Sequence, residues 1–453
     1  MSATDFDSFN ISGVTTLGFI SGTPGDDHLR GTENDDTFQL DGGGEDTAKG
    51  GDGADTFRMG AALDAGDRIN GGQSTEDPDE VVLDGDYSSG LVLKAKTLVG
   101  IEQLTLTAGN DYDLTLKGDP ASPGWTFQLD ASGLGADDGL TLNASKMTAT
   151  VSISCGAGAD HVITGQLDTN VITGGGADTV LGGSGIDFIQ ADGESAVLSG
   201  GDGDDSIVLS ALGAQTVLDG GAGTDNLTLT GGTAEAPAVL AAGKVSGFEN
   251  FQVMAGYVVL ENGTTEGIAE VRVFAVENGV TFDASAVSGT SFNMSGSDAN
   301  DVLRGGAEGD LILGGHGDNS LIGGGGDDTL RGSDGHDKIA GGLGADDLWG
   351  GPGADQFVYL SAADSTDAAS DLIRDLTDTD QIVLKSVDAN DKKAGDQAFH
   401  LVGVFSGERG ELVVSYDHDS NLTLIEGDVN GDGVADMVIT AAGDHSGFDN
   451  FVL

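Results

Sequence analysis

Residues 296–358 read, in blocks of nine, GSDANDVLR, GGAEGDLIL, GGHGDNSLI, GGGGDDTLR, GSDGHDKIA, GGLGADDLW and GGPGADQFV. The register runs from Gly296 to Val358 without a slip. The eighth position is always large and apolar: Leu303, Ile312, Leu321, Leu330, Ile339, Leu348 and Phe357. The sixth is Asp301, Asp310, Asn319, Asp328, Asp337, Asp346 and Asp355. Self-similarity at a fixed period marks a repeat architecture. The glycine-rich first half favours turns with φ > 0, which continue neither helix nor strand. The last three residues make a short strand with one inward side chain. Turn and strand in alternation predict an all-β protein, a flattened right-handed coil with two nonapeptides per complete turn. Repeats n and n+2 then stack on one edge.

The same period recurs upstream. From Cys155 to Val208 the eighth positions are Val162, Val171, Val180, Ile189, Leu198 and Ile207. The sixth are Asp160, Thr169, Asp178, Asp187, Ala196 and Asp205. A detached copy, GGAGTDNLT, begins at Gly220. A shorter array starts at Gly22 with GTPGDDHLR and GTENDDTFQ, and resumes after Leu40 with DGGGEDTAK and GGDGADTFR. It adds Asp27, Asp36 and Asp55 to the candidate ligands. Turn carbonyls and carboxylates facing each other give an oxygen-only donor set, which suits Ca²⁺ better than Zn²⁺ or Mg²⁺. Sorted by edge, Asp310, Asp328 and Asp346 share one side of the main array. Asn319 interrupts the other side as a neutral, weaker ligand between Asp301 and the pair Asp337–Asp355. In the middle array Asp160 pairs with Asp178, and Asp187 with Asp205, so Asp205 is expected to serve one site.

Composition explains why such a chain would need an ion. It has 453 residues, 76 acidic against 18 basic, a formal charge of -58 and 78 glycines. That charge repels nucleic acid and anionic membranes and attracts cations. Glycine entropy and self-repulsion both oppose folding, and one inward residue per nine buries too little apolar surface to offset them. Bound cations are expected to supply the difference. Cys155 is the only cysteine, so no intrachain disulfide forms, and it reads as a small buried hydrophobe. No apolar run is long enough to span a bilayer. The opening MSATDFDSFN lacks the basic and apolar regions of a cleavable signal peptide.

The nonapeptide G-G-x-G-x-D-x-U-x resembles that of the RTX family of secreted proteins, whose hemolysin-type repeats bind calcium in a β-roll. After Val358 the order D-S-T, D-L-I-R-D-L, D-Q-I-V-L and D-A-N-D is similar to the C-terminal domain of serralysin-type metalloproteases. That resemblance implies an uncleaved C-terminal signal for type I secretion through an ABC transporter, with Asp449–Leu453 as its acidic-then-apolar end. The expected division is an N-terminal segment (1–21), a first short array (22–72), irregular rungs (73–154), the middle array (155–230), a second irregular stretch (231–295), the main calcium-binding roll (296–358) and the serralysin-like domain (359–453). The irregular stretches share phrases, LVGIEQLTL with VSGFENFQV and FQLDAS with TFDAS, and read as further β-helical rungs. Glu102 and Glu249, within the first phrase pair, read as solvated or turn-capping residues rather than catalytic ones. Asp428–Asp436 has the spacing of an EF-hand loop start, but Ile439 stands where a bidentate Glu belongs, so a hairpin turn is favoured.

Catalytic motifs are missing from the sequence. The histidines, His28, His161, His316, His336, His400, His418 and His445, include no pair spaced for H-E-x-x-H. Gly182-Gly183-Ser184-Gly185-Ile186 lacks the closing glycine of a nucleophile elbow. No P-loop occurs. His316 and His336 occupy variable repeat positions and should be exposed. The expected function is a secreted, extracellular calcium-binding protein with a non-catalytic surface, matrix or adhesive role, possible partners being cell-surface or extracellular polysaccharides. Two alternatives are a polysaccharide-acting β-helix enzyme with its site in residues 73–295, and a secretion and folding module for an effector on another chain.

Overall fold

A computed structural model describes residues 9–10, 18–72, 77–192, 195–210, 212–213, 215–265, 270–275, 279–390, 392–393 and 397–453. Most of the N-terminal stretch read for a signal peptide lies outside these residues. The described chain is all-β, with one 3-10 turn at Ala362–Asp364. It divides into two compact units, Met1–Leu227 and Thr228–Leu453.

Both units contain a parallel β-solenoid, and in the nonapeptide arrays each strand pairs with the second one after it. In the second unit Leu311–Leu313 pairs with Thr329–Arg331, which pairs with Asp347–Trp349. The register stacks like on like: Met294, Ile312, Leu330, Leu348 and Ile373 form one column. Phe282, Leu303, Leu321, Ile339, Phe357 and Ile382 form the other. In the first unit Phe38, Phe57, Val81, Leu104, Leu129, Ile153, Val171, Ile189 and Ile207 make a column of the same kind. Every eighth-position residue of the middle and main arrays is at most 1% exposed. The two-repeats-per-turn arrangement therefore holds, and Asp310 and Asp328 share an edge.

The expected single inward side chain holds within the three-residue strands, as at Val302–Arg304 and Leu311–Leu313, but the buried face extends past their ends. Burial alternates through Asp301, Leu303 and Gly305, and again through Asp310, Ile312 and Gly314, so the sixth-position Asp also faces the interior. Alternation along an extended strand puts positions six, eight and one on the same face.

The irregular stretches continue the coil rather than interrupt it. Phe127–Asp130 pairs with Val151–Ser154, and Val280–Asp283 pairs with Val302–Arg304. The shared phrase has a shared role. The Ser132 hydroxyl and amide donate to Asp130 Oδ1, and Ser285 does the same to Asp283, closing identical side-chain turns. Beyond Val358 the parallel ladder runs on through Asp371–Ile373 and Gln381–Val383. It meets an antiparallel meander of Glu411–Asp417, Leu422–Asp428 and Met437–Ala442. Phe451–Val452 pairs with Gln381–Val383, so the last residues form part of the final rung.

Candidate calcium sites

Along each edge the sixth-position carboxylates form a ladder. The Asp310 N–H donates to Asp328 Oδ1 at 2.7 Å, and the Asp328 N–H donates to Asp346 Oδ1 at 2.9 Å. On the other edge Asp301 donates to Asn319 Oδ1, Asn319 to Asp337, and Asp337 to Asp355. In the middle array Asp160 donates to Asp178 and Asp187 to Asp205, as the sorting by edge requires. Asp205 also donates to Asp225 Oδ1, so it stands between two carboxylates, not in a single pair. In the first array Asp27 donates to Asp46 and Asp36 to Asp55.

The ladder outruns the nonapeptides. Asp46 donates to Asp67, Asp55 to Asp79, and Asp79 to Glu102 Oε2. At the other end Asp346 donates to Asp371, and Asp355 to Asp380. Glu102 is 4% exposed and accepts the Ser122 N–H on its other oxygen, so it caps the ladder and is not solvated. Of these additions only Asp46 and Asp225 were in register in the sequence. Asp67, Asp79, Asp371 and Asp380 follow turns of other lengths.

The second carboxylate oxygen divides the turns into two kinds. In the turn of Asp310 the Gly306 N–H donates to Oδ2 at 2.8 Å. Asp160 and Asp187 are closed the same way by Gly156 and Gly183. Asp27, Asp36 and Asp301 are closed by the backbone and hydroxyl of Thr23, Thr32 and Ser297. In the turn of Asp328 the corresponding Gly324 has φ +117 and points its N–H elsewhere. Asp328 Oδ2 is then buried with no hydrogen-bond partner. The same is true of Asp55, Asp178, Asp205, Asp337, Asp346 and Asp355, and in every case the second residue of the turn has positive φ. These open turns each stack on a preceding nonapeptide turn that carries Asp or Asn at position six. The closed ones begin an array or, for Asp187, follow the turn of Thr169.

A buried carboxylate oxygen without a donor costs free energy that a neighbouring cation would recover. Among the described residues no three His, Cys, Asp or Glu side chains converge on one point. A cation here would therefore draw most of its shell from backbone carbonyls, as a hard, six-to-eight-coordinate ion can. The donor set fits calcium. The first glycine belongs to the same design. A Cβ on Gly323 or Gly341 would collide with the carboxylate of Asp328 or Asp346.

Burial pushes these carboxyls up. Asp328 is raised to about 9, Asp55 to about 8, and Asp160, Asp205, Asp310, Asp346 and Asp355 to about 6, in each case chiefly by burial. The like charge on the next rung adds to this at Asp328, where Asp346 and Asp310 both contribute. With folded-state values above the unfolded value of 3.8, the ion-free fold binds more protons than the unfolded chain from about pH 4 upward. Its stability is therefore greatest in acid and is lost as pH rises through about 6 to 9. In chelator, lowering the pH from about 8 to about 5 should increase β structure by circular dichroism. A calcium-free chain with less β structure at the lower pH would contradict this.

Other candidates are accounted for without a ligand. Asp428 accepts the Gly431 and Gly433 N–H groups, and Asp436 accepts those of Val429 and Asn430. The loop is thus satisfied within itself and joins two antiparallel strands. Cys155 is buried, and burial raises its thiol far above the usual range. His316 and His336 are exposed. No helix among the described residues is long and apolar enough to cross a membrane.

Family models for the repeat and for the C-terminal domain agree with this geometry. The model of the RTX calcium-binding nonapeptide repeat matches residues 19–44 and 40–61. The metalloprotease AprA of Pseudomonas entomophila is 38% identical over 88 residues, 19% of this chain and 18% of that protein. The chain thus matches under a fifth of that relative's length. The solution structure of the AlgE6R3 subunit of the Azotobacter vinelandii mannuronan C5-epimerase aligns at 28% identity over 35% of this chain and 80% of that one, with a TM-score of 0.20. The peptidase M10 serralysin C-terminal model matches residues 126–453, well over half of the chain. The repeats bind calcium, and the chain belongs to the peptidase M10 serralysin C-terminal family.

Proposed function

We propose that this is an extracellular calcium-binding protein with a non-catalytic surface, matrix or adhesive role, exported through a type I ABC transporter and folded by calcium outside the cell. The observation that carries the reading is the row of buried, donor-less Asp oxygens at stacked nonapeptide turns. Calcium would be held at Asp55, Asp178, Asp205, Asp328, Asp337, Asp346 and Asp355. The closed carboxylates of Asp27, Asp36, Asp160, Asp187, Asp301 and Asp310 would serve the ladder by holding their turns in place. A chain that folds only with calcium stays open where calcium is scarce. The terminal strand Phe451–Val452 is packed on the last rung, so a signal there would be readable only before folding.

Export is the direct test. Deleting the last ~60 residues removes the signal and spares the main array, and should leave the protein inside the cell. Efficient export of the truncated chain would refute the route. Activity of the full chain on alginate or pectin-like polymers would refute the non-catalytic role.

A further inference from the structure

In the turn of residues 314–319 the atom that should face a cation is a hydrogen-bond donor. Asn319 is 2% exposed. Its Oδ1 takes the ladder bond, accepting the Asp301 N–H at 2.9 Å, as each Asp does with its Oδ1. The hydrogen-bond network leaves no choice of orientation, because the acceptor must meet that N–H. Nδ2 therefore stands where an Asp would place its donor-less Oδ2. It donates to the Gly317 carbonyl at 3.1 Å and to the His316 carbonyl at 3.4 Å. The backbone is nevertheless of the open kind. Gly315 and Gly317 have φ +90 and +94, matching Gly324 and Gly326 at +117 and +89 in the turn of Asp328.

We propose that the side-chain amide of Asn319 takes the place of a calcium ion, so that this turn is built in the ion-binding form and held without one. A carboxamide N–H₂ presents partial positive charge to the same carbonyls that a cation would draw together, and its nitrogen, with its lone pair delocalised into the carbonyl, does not ligate a cation. The consequence is one rung near the start of the main array whose geometry does not wait for calcium. Its neighbours are Asp301, closed by Ser297, whose N–H donates to Asn319 Oδ1, and Asp337, one turn on, whose Oδ1 accepts the Asn319 N–H. The inference rests on the proposal that the open turns hold calcium.

The test counts ions in the full-length protein at saturating calcium, by metal analysis after equilibrium dialysis. Asn319→Asp restores an acceptor at the vacated atom and should bind one more calcium per chain than the wild type. Asn319→Ala should bind the same number as the wild type while folding at higher calcium. An unchanged count in Asn319→Asp overturns the inference, as does the loss of one ion in Asn319→Ala. If the wild type itself binds no calcium, the underlying reading fails instead. Should Asn319→Ala not fold, the comparison of Asn319→Asp with the wild type stands alone.

Discussion

Removing calcium should unfold the protein, and restoring it should return the β signal. A domain with this glycine content and a charge of -58 has little margin. The donor-less buried oxygens of Asp55, Asp178, Asp205, Asp328, Asp337, Asp346 and Asp355 add a desolvation cost to each turn that carries one. Each ion bound only by the folded state adds RT ln(1 + [Ca]/Kd), and several act together, so the transition should be cooperative. The midpoint is expected in the ~10⁻⁴–10⁻³ M range of extracellular calcium modules. Magnesium should substitute poorly, because it demands octahedral geometry that a set of peptide carbonyls at fixed turns does not offer. A β-rich circular dichroism spectrum at neutral pH in excess chelator would exclude calcium-coupled folding.

The second large effect is expected at Asp328. Its Oδ1 accepts the Asp310 N–H, its own N–H donates to Asp346, and its Oδ2 has no partner. Asp328→Ala removes a calcium ligand and leaves a buried N–H without an acceptor, a loss of about 1–3 kcal/mol before any ion is counted. The calcium midpoint should rise and the bound calcium should fall by at least one ion per chain. Asp310→Ala removes an acceptor from Phe292 and Gly306 but no donor-less oxygen, so it should destabilise without lowering the ion count. Asp205→Ala should resemble Asp328→Ala, since Asp205 lies between Asp187 and Asp225. Equal ion counts for wild type and Asp328→Ala would show that the ladder is structural only.

The apolar columns were readable before the fold was known, because a strict period of nine with a large apolar residue at every eighth position of the middle and main arrays leaves one way to stack. The edge assignments followed from the same count. The extent of the carboxylate ladder did not, since Asp67, Asp79, Glu102, Asp371 and Asp380 join it across spacings of 21 to 25 residues. Strand pairing fixes their positions, and loop length does not. The division into open and closed turns was also hidden. Gly306 and Gly324 are the same letter at the same place in the repeat, and only the sign of φ separates them. Where position two is Thr23, Thr32 or Ser297 the sequence did carry a signal, because a hydroxyl there closes on the carboxylate. Ser333 shows the limit of that signal. It adopts φ +80 and leaves Asp337 Oδ2 open.

The most direct test is a crystal structure of the full chain grown in calcium. Ions are expected at about 2.3–2.6 Å from Oδ2 of Asp328, Asp346 and Asp355, each completed by backbone carbonyls, and none against Nδ2 of Asn319. Ions confined to the exposed carboxylates of the outer turns, with the sixth-position oxygens left bare, would contradict this assignment.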